Sequence, residues 1–115
     1  MIFIDYQDSR PIYEQIVEKY KKLMLKGALE PGEQMPSVRS LAMELSTNPN
    51  TVQKAYAELE RQGFLYTVKG RGNFVSGDQS LKESRKQELI AQIRALLREA
   101  EEIGIPRSEM LAGLG

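Results

Sequence analysis

The chain has no cysteine and no histidine. Without thiols it can form no disulfide and do no thiolate chemistry, which fits a cytoplasmic protein. Without imidazole as well, nucleophile–His pairs and most zinc sites are excluded. General acid–base work would fall to carboxylates alone. No enzyme activity, cofactor or metal is therefore expected. No stretch approaches the ~18 consecutive apolar residues of a membrane helix, so no membrane partner is expected either. The N-terminus carries Asp5 and Asp8 and lacks the apolar run of a secretory signal. Net charge is missing too, because 16 Lys and Arg balance 16 Asp and Glu. That speaks mildly against a polyanionic partner, whose binders carry a basic footprint.

What remains suits a small globular chain. At 115 residues it fits one ordinary domain, or a small domain with an appendage. The hydrophobic fraction of 41% supports a core, and the charged fraction of 28% suits a solvated surface. The neutral total hides local asymmetry. From Phe64 to Ser76 the only charges are Lys69 and Arg71, and between Ser46 and Ala57 the only charge is Lys54.

Residues 1–5 read as a short strand or a packed arm. Pro11 is a good first helical residue, since its missing N–H costs nothing there. From Pro11 to Lys26, Tyr13, Ile16, Val17, Tyr20, Leu23 and Met24 recur on one helical face, and Gly27 is a plausible stop. Pro31-Gly32 marks a turn. Ser37 caps a second helix, Ser37–Ser46, which buries Val38, Leu41, Ala42 and Leu45. The third helix, Asn48–Gln62, starts in one of two ways. Either Asn48 is the cap with Pro49 at the first position, or Asn50 is the cap with Gln53 reaching back. Its inner stripe is Val52, Ala55, Tyr56 and Leu59, and Gly63 ends it.

Phe64 to Val68 has strand composition, Lys69-Gly70-Arg71-Gly72 is a turn, and Asn73 to Ser76 returns. After a polar linker at 77–80, apolar residues repeat at three- and four-residue steps from Leu81 to Ile103, with a last short helix from Pro106 to near Gly113. The expected fold is mostly α with a small β-hairpin. A winged helix-turn-helix domain would occupy 1–77 and a helical dimerisation tail 78–115.

The third helix opens with hydrogen-bonding side chains. Asn48, Asn50, Thr51 and Gln53 suit base edges, and Lys54 adds a cation. A helix N-terminus also attracts anions through its free N–H groups. The same Asn, Thr and Pro residues are ordinary capping residues, and that bland reading stands beside the sharper one. Arg39, in the second helix, is either a solvated surface residue or a phosphate contact. Lys69, Gly70 and Arg71 are either a soluble hairpin turn or a cationic tip that approaches a backbone closely. Tyr13, Tyr20 and Tyr56 are expected in the core. Glu99, Glu101 and Glu102 read as a solvated face.

Taken together the residues resemble the GntR family of bacterial transcription regulators. The resemblance lies in Pro11–Ile16, Leu29–Ala42 (Leu-Glu-Pro-Gly-Glu-Gln-Met-Pro-Ser-Val-Arg-Ser-Leu-Ala), Asn50–Glu60, and Gly63-Phe64-Leu65 through Gly70-Arg71-Gly72-Asn73-Phe74-Val75. It implies contacts to double-stranded DNA by Arg39, Asn48, Asn50, Thr51, Gln53, Lys69, Gly70 and Arg71. Where some members carry Arg, this chain carries Pro49 or Gln53, so the resemblance speaks to docking mode rather than base preference. Only about 38 residues follow Gly77, too few for a typical ligand pocket. That is similar to the YtrA-type branch, whose short helical tail mediates dimerisation. The long tail helix has one apolar stripe that needs cover, and a second copy would supply it through Leu89, Ile93, Leu96, Leu97, Ala100 and Ile103. The expectation is a homodimeric repressor on an inverted-repeat operator, with any small-molecule effector unspecified. The alternative is a winged helix that binds protein instead, with the neutral net charge as its support.

Overall fold

A computed structural model describes residues 2–78 and 80–115. The elements run α1 Ile12–Leu25, α2 Val38–Glu44, α3 Pro49–Arg61, β1 Leu65–Val68, β2 Gly72–Val75, α4 Ser80–Glu102 and α5 Arg107–Leu114. The chain divides into two compact units, one ending at Leu81 and one spanning Lys82–Gly115.

In the first unit, capping chemistry places the helices. Pro11 stands just outside α1, with extended backbone, rather than at its first position. Ser37 caps α2 by accepting the Ser40 amide at 3.1 Å. α2 ends at Glu44, and Ser46 turns the chain with a positive φ of 52°. Asn48 then caps α3 by accepting the Asn50 amide at 2.8 Å, with Pro49 opening the helix. This decides between the two starts left open by the sequence, because Asn50 sits inside the helix.

The core lies between α1, α2 and α3. Ile16, Leu41, Val52, Ala55 and Leu59 are almost completely buried. Tyr20 and Tyr56 meet edge-on in it, with ring centroids 6.4 Å apart. The Tyr56 hydroxyl donates to the Pro36 carbonyl at 2.8 Å, fastening the start of α2 to α3. Burial pushes the Tyr20 phenol up to about 12, and the Tyr56 phenol further. Tyr13 packs against this core as expected, though less deeply than the other two tyrosines. It is half-buried at the edge of α1, with the Lys54 ammonium 3.9 Å from its ring centroid.

The N-terminal residues form a packed arm with no strand among those described; Met1 lies outside them. Ile2 is buried in the core and Ile4 packs against it. Gln15, buried on α1, bonds the arm twice: its Oε1 accepts the Asp5 amide and its Nε2 donates to the Asp5 carbonyl, both at 2.9 Å. The Tyr6 hydroxyl donates to the Leu45 carbonyl at the end of α2.

The hairpin pairs Leu65 with Val75, Tyr66 with Phe74, Thr67 with Asn73 and Val68 with Gly72. Residues 32–35 run alongside β2. The Gly32 amide donates to the Val75 carbonyl, the Val75 amide to the Glu33 carbonyl and the Met35 amide to the Asn73 carbonyl, and Gln34 bridges Phe74. The hairpin therefore has a third, partial strand at its base. No β signal marks that segment in the sequence, because a Pro-Gly turn and polar residues fill it.

The second unit is α4 and α5 joined by a turn. The Ile105 amide donates to the Ala100 carbonyl at 2.9 Å, and Gly104 has a φ of 86°. Ala100 is buried, and Leu97, Ile105 and Met110 are half-buried. Leu89, Ile93, Leu96 and Ile103 stay 43–73% exposed.

Candidate nucleic-acid interface

The inward face of α3 is Val52, Ala55, Tyr56 and Leu59, all buried. Helical periodicity then forces Asn50, Gln53, Lys54, Ala57 and Arg61 onto the opposite face. All five are exposed. Asn50 and Gln53, one turn apart, point their amides outward from the first half of the helix. Thr51 is half-buried at the edge of this face.

Asn48 is exposed as well, but its Oδ1 is engaged by the Asn50 amide. Its carboxamide is thus half committed to capping, which distinguishes it from Asn50 and Gln53. Lys54 leans across to α1, where its ammonium sits over Tyr13. Such a contact is worth about 0.5–1 kcal/mol at an exposed site, so it gives the cation a resting place without locking it. Arg39 is exposed near the start of α2.

The hairpin tip is built by its glycines. The Arg71 amide donates to the Val68 carbonyl at 2.9 Å, closing a turn whose third residue, Gly70, has a φ of 79°. A positive φ at that position is what a type II turn demands. Gly72 follows with a φ of 118°, and a Cβ there would stand 3.1 Å from Gln34 Nε2. That same Nε2 donates to the Arg71 carbonyl at 2.8 Å. Lys69, Gly70 and Arg71 are exposed together at the tip. Tyr66 and Phe74 stack across the hairpin at 5.6 Å, stiffening it.

Between α3 and the hairpin lies an open groove of about 520 Å³, lined by Gln53, Ala57, Glu60, Arg61, Thr67 and Asn73. The Thr67 hydroxyl donates to Glu60 Oε2 at 2.5 Å and lies 2.9 Å from the Asn73 side-chain amide. Glu60 thereby ties the hairpin to α3. Arg61 is held on Glu58, with Nε 2.8 Å from Oε2, and this pairing pulls the Glu58 carboxyl down to about 2. The sequence reading missed Gln34, Glu60, Thr67 and Arg61. The signal for Gln34, Glu60 and Thr67 is tertiary, Gln34 and Arg71 being 37 residues apart, whereas Arg61 pairs with Glu58 one turn back in its own helix.

The structure thus sets the exposed face of α3 from Gln53 to Arg61 on one side of this groove and the hairpin strands on the other, with the Lys69-Gly70-Arg71 turn closing the hairpin. A helix face with carboxamides beside a hairpin with free cations can read base edges on one side and hold phosphates on the other. The six tail residues singled out by sequence belong to the second unit and differ in state. Leu89, Ile93, Leu96 and Ile103 are exposed, Leu97 is half-buried, and Ala100 is buried.

Known proteins share the sequence pattern and the fold of this chain. A family profile described as bacterial regulatory proteins, gntR family, matches residues 12–75. The HTH-type transcriptional repressor YtrA of Bacillus subtilis (strain 168) is 45% identical over 107 residues, which is 91% of this chain and 82% of that protein. The crystal structure of a transcriptional regulator from Oenococcus oeni superposes with a TM-score of 0.83 at 33% identity, covering 96% of this chain and 93% of that one. The DNA-binding domain of AraR, solved in complex with operator ORE1, superposes with a TM-score of 0.56 at 29% identity, covering 64% of this chain and 89% of that one.

Proposed function

The chain belongs to the gntR family of bacterial regulatory proteins and is a DNA-binding transcriptional regulator, and from that premise we propose that it acts as a homodimeric repressor on an inverted-repeat operator. α3 enters the major groove, where Asn50 and Gln53 read base edges and Thr51 contacts a thymine methyl or a phosphate. Lys69 and Arg71 hold the adjacent backbone, with Gly70 allowing close approach. Arg39 and Lys54 add phosphate contacts, and Asn48 contributes chiefly by fixing the start of the helix. The carrying observation is an α3 face that exposes Asn50, Gln53 and Lys54, across a groove from a hairpin whose tip exposes Lys69, Gly70 and Arg71. Among the described residues no helix is long and apolar enough to cross a membrane.

Self-association rests on the tail. Leu89, Ile93 and Leu96 expose 43%, 53% and 61% of their surface along one stripe of α4. An amphipathic helix of this length, about 35 Å for its 23 residues, needs a partner for that stripe. Two-fold symmetry then sets two half-sites about one DNA turn apart, on the order of 10 bp. Repression follows from occlusion of the promoter.

Binding to duplexes from the protein's own promoter, titrated over a range of salt, tests the reading. Affinity should fall steeply as salt rises, because phosphate contacts release counterions. A flat salt response would remove the phosphate contacts assigned here and favour a protein partner. Ile93→Glu should run as a monomer on a sizing column and bind a full operator far more weakly than the parent.

A further inference from the structure

The geometry points to an antiparallel pairing of two α4 helices, with the two-fold axis beside Gln92; this rests on the reading of the tail as a self-association surface. Along α4 the residues Leu89, Ile93, Leu96, Ala100 and Ile103 alternate steps of four and three. That is a heptad seam of period 3.5, the pattern by which two helices pack knobs into holes. Ala100 is buried, so the uncovered part of the seam centres on Leu89, Ile93 and Leu96.

Charge selects the direction. Carried toward the helix start, the seam lands on Lys86 and Lys82. In a parallel pair each seam residue faces its own copy, so Lys82 would meet Lys82 and Lys86 would meet Lys86. Reversal removes both clashes. Arg85 and Glu99 flank the same edge of the seam, each seven residues from Gln92, and all three are exposed. Turning one helix about Gln92 brings Arg85 to Glu99 of the partner subunit, twice by symmetry. It also sets Lys82 near Glu102 of the partner subunit. Gln92 then meets its own copy, which a carboxamide tolerates because it both donates and accepts. Within its own helix Arg85 holds Glu88 at 2.8 Å, an exposed contact that a second carboxylate can join.

The spacing fits the task. The first unit ends at Leu81, eleven residues before Gln92. At 1.5 Å per residue, an antiparallel pair crossing at Gln92 sets the two attachment points about 33 Å apart. Successive major grooves on one side of a duplex are about 34 Å apart.

The chain has no cysteine, so single-cysteine variants of the full chain test the direction cleanly. Under mild oxidation Gln92→Cys should form a covalent dimer. Leu96→Cys should not, since its two copies would lie about 12 Å apart along the axis, beyond the ~7 Å that a disulfide spans. Arg85→Glu and Glu99→Arg should each weaken the dimer about fivefold or more, and the two together should restore it. A cross-linked Leu96→Cys, an unlinked Gln92→Cys dimer, or a double variant without rescue overturns the orientation and leaves self-association standing. A parent chain that stays monomeric at micromolar concentration overturns self-association itself.

Discussion

Asn48 and Asn50 are chemically identical, two residues apart and both exposed, yet they should fail in different ways when truncated. Asn48 Oδ1 accepts the Asn50 amide at 2.8 Å and satisfies one of the free N–H groups at the start of α3. Removing such a cap costs about 1 kcal/mol. For a unit of this size that lowers the melting temperature by roughly 4–8 °C. Asn50 makes no cap with its side chain, and Ala has the higher helix propensity, so Asn50→Ala should melt at or slightly above the parent. Its loss should appear in recognition instead, as about 1–3 kcal/mol of discrimination at one base position. Asn48→Asp adds an internal control. It keeps the cap, so the melting temperature holds, while its charge near the phosphates weakens binding to every duplex alike. Thermal melts followed by circular dichroism, with competition binding between operator and scrambled DNA, separate these outcomes. If Asn48→Ala relaxes sequence preference without a fall in melting temperature, the division between capping and reading residues is wrong.

Other outcomes follow from the same contacts. Gln34→Ala removes the donor on the Arg71 carbonyl; an exposed hydrogen bond is worth about 0.5–1 kcal/mol. Affinity should fall about two- to fivefold, with no further loss when Arg71→Ala is already present in a fluorescence-anisotropy titration. Glu60→Gln keeps an acceptor for Thr67 and removes the negative charge from the groove, so operator affinity should rise, and the gain should shrink in high salt. Acid should destabilise the fold. Arg61 pulls Glu58 down to about 2, Lys22 and Arg10 pull Glu18 down, and Arg10 pulls Asp8 down. A carboxylate whose folded pKa is depressed lends stability above its unfolded pKa of about 4 and loses it as pH falls through the folded value. The melting temperature should therefore be level from pH 8 to 5 and decline between about pH 4.5 and 2, less so in high salt.

Most of the fold was legible because its signals are local. Ser37 before Val38, Asn48-Pro49 before a periodic stripe, and Gly63 after it each mark a boundary through chemistry that a single sequence displays. The α3 face was legible for the same reason: once Val52, Ala55, Tyr56 and Leu59 point inward, Asn50 and Gln53 must point outward. What the sequence hid were contacts between distant segments. Nothing in Glu33-Gln34-Met35 announces a strand, because its pairing with β2 is imposed by the hairpin. Tyr13 shares the period of Tyr20 and packs on the same core, but its half-exposed ring also meets Lys54, a contact from another helix that the period cannot report. Ala100 has the seam spacing of Leu96 but is buried where Leu96 is exposed, and no periodicity within α4 can report that.

The zero net charge, which argued against a polyanionic partner, is resolved by how the charges are spent. Along the N-terminal arm and α1 acids and bases neutralise each other: Arg10 holds Asp8 and Glu18, and Lys22 holds Glu18 at 3.0 Å. On α3, Glu58 takes Arg61. The tail adds Arg85 with Glu88. The cations at the hairpin tip enter no such ion pair among the described residues, since Gln34 binds the Arg71 backbone and leaves its guanidinium outward. Lys54 rests on a ring rather than on a carboxylate. A polyanion that meets Asn50 and Gln53 therefore also meets Lys54, a cation outside the ion pairs above. A neutral total limits the sequence-independent attraction a uniformly basic protein would have for any duplex, while cations beside the base-reading side chains supply it locally.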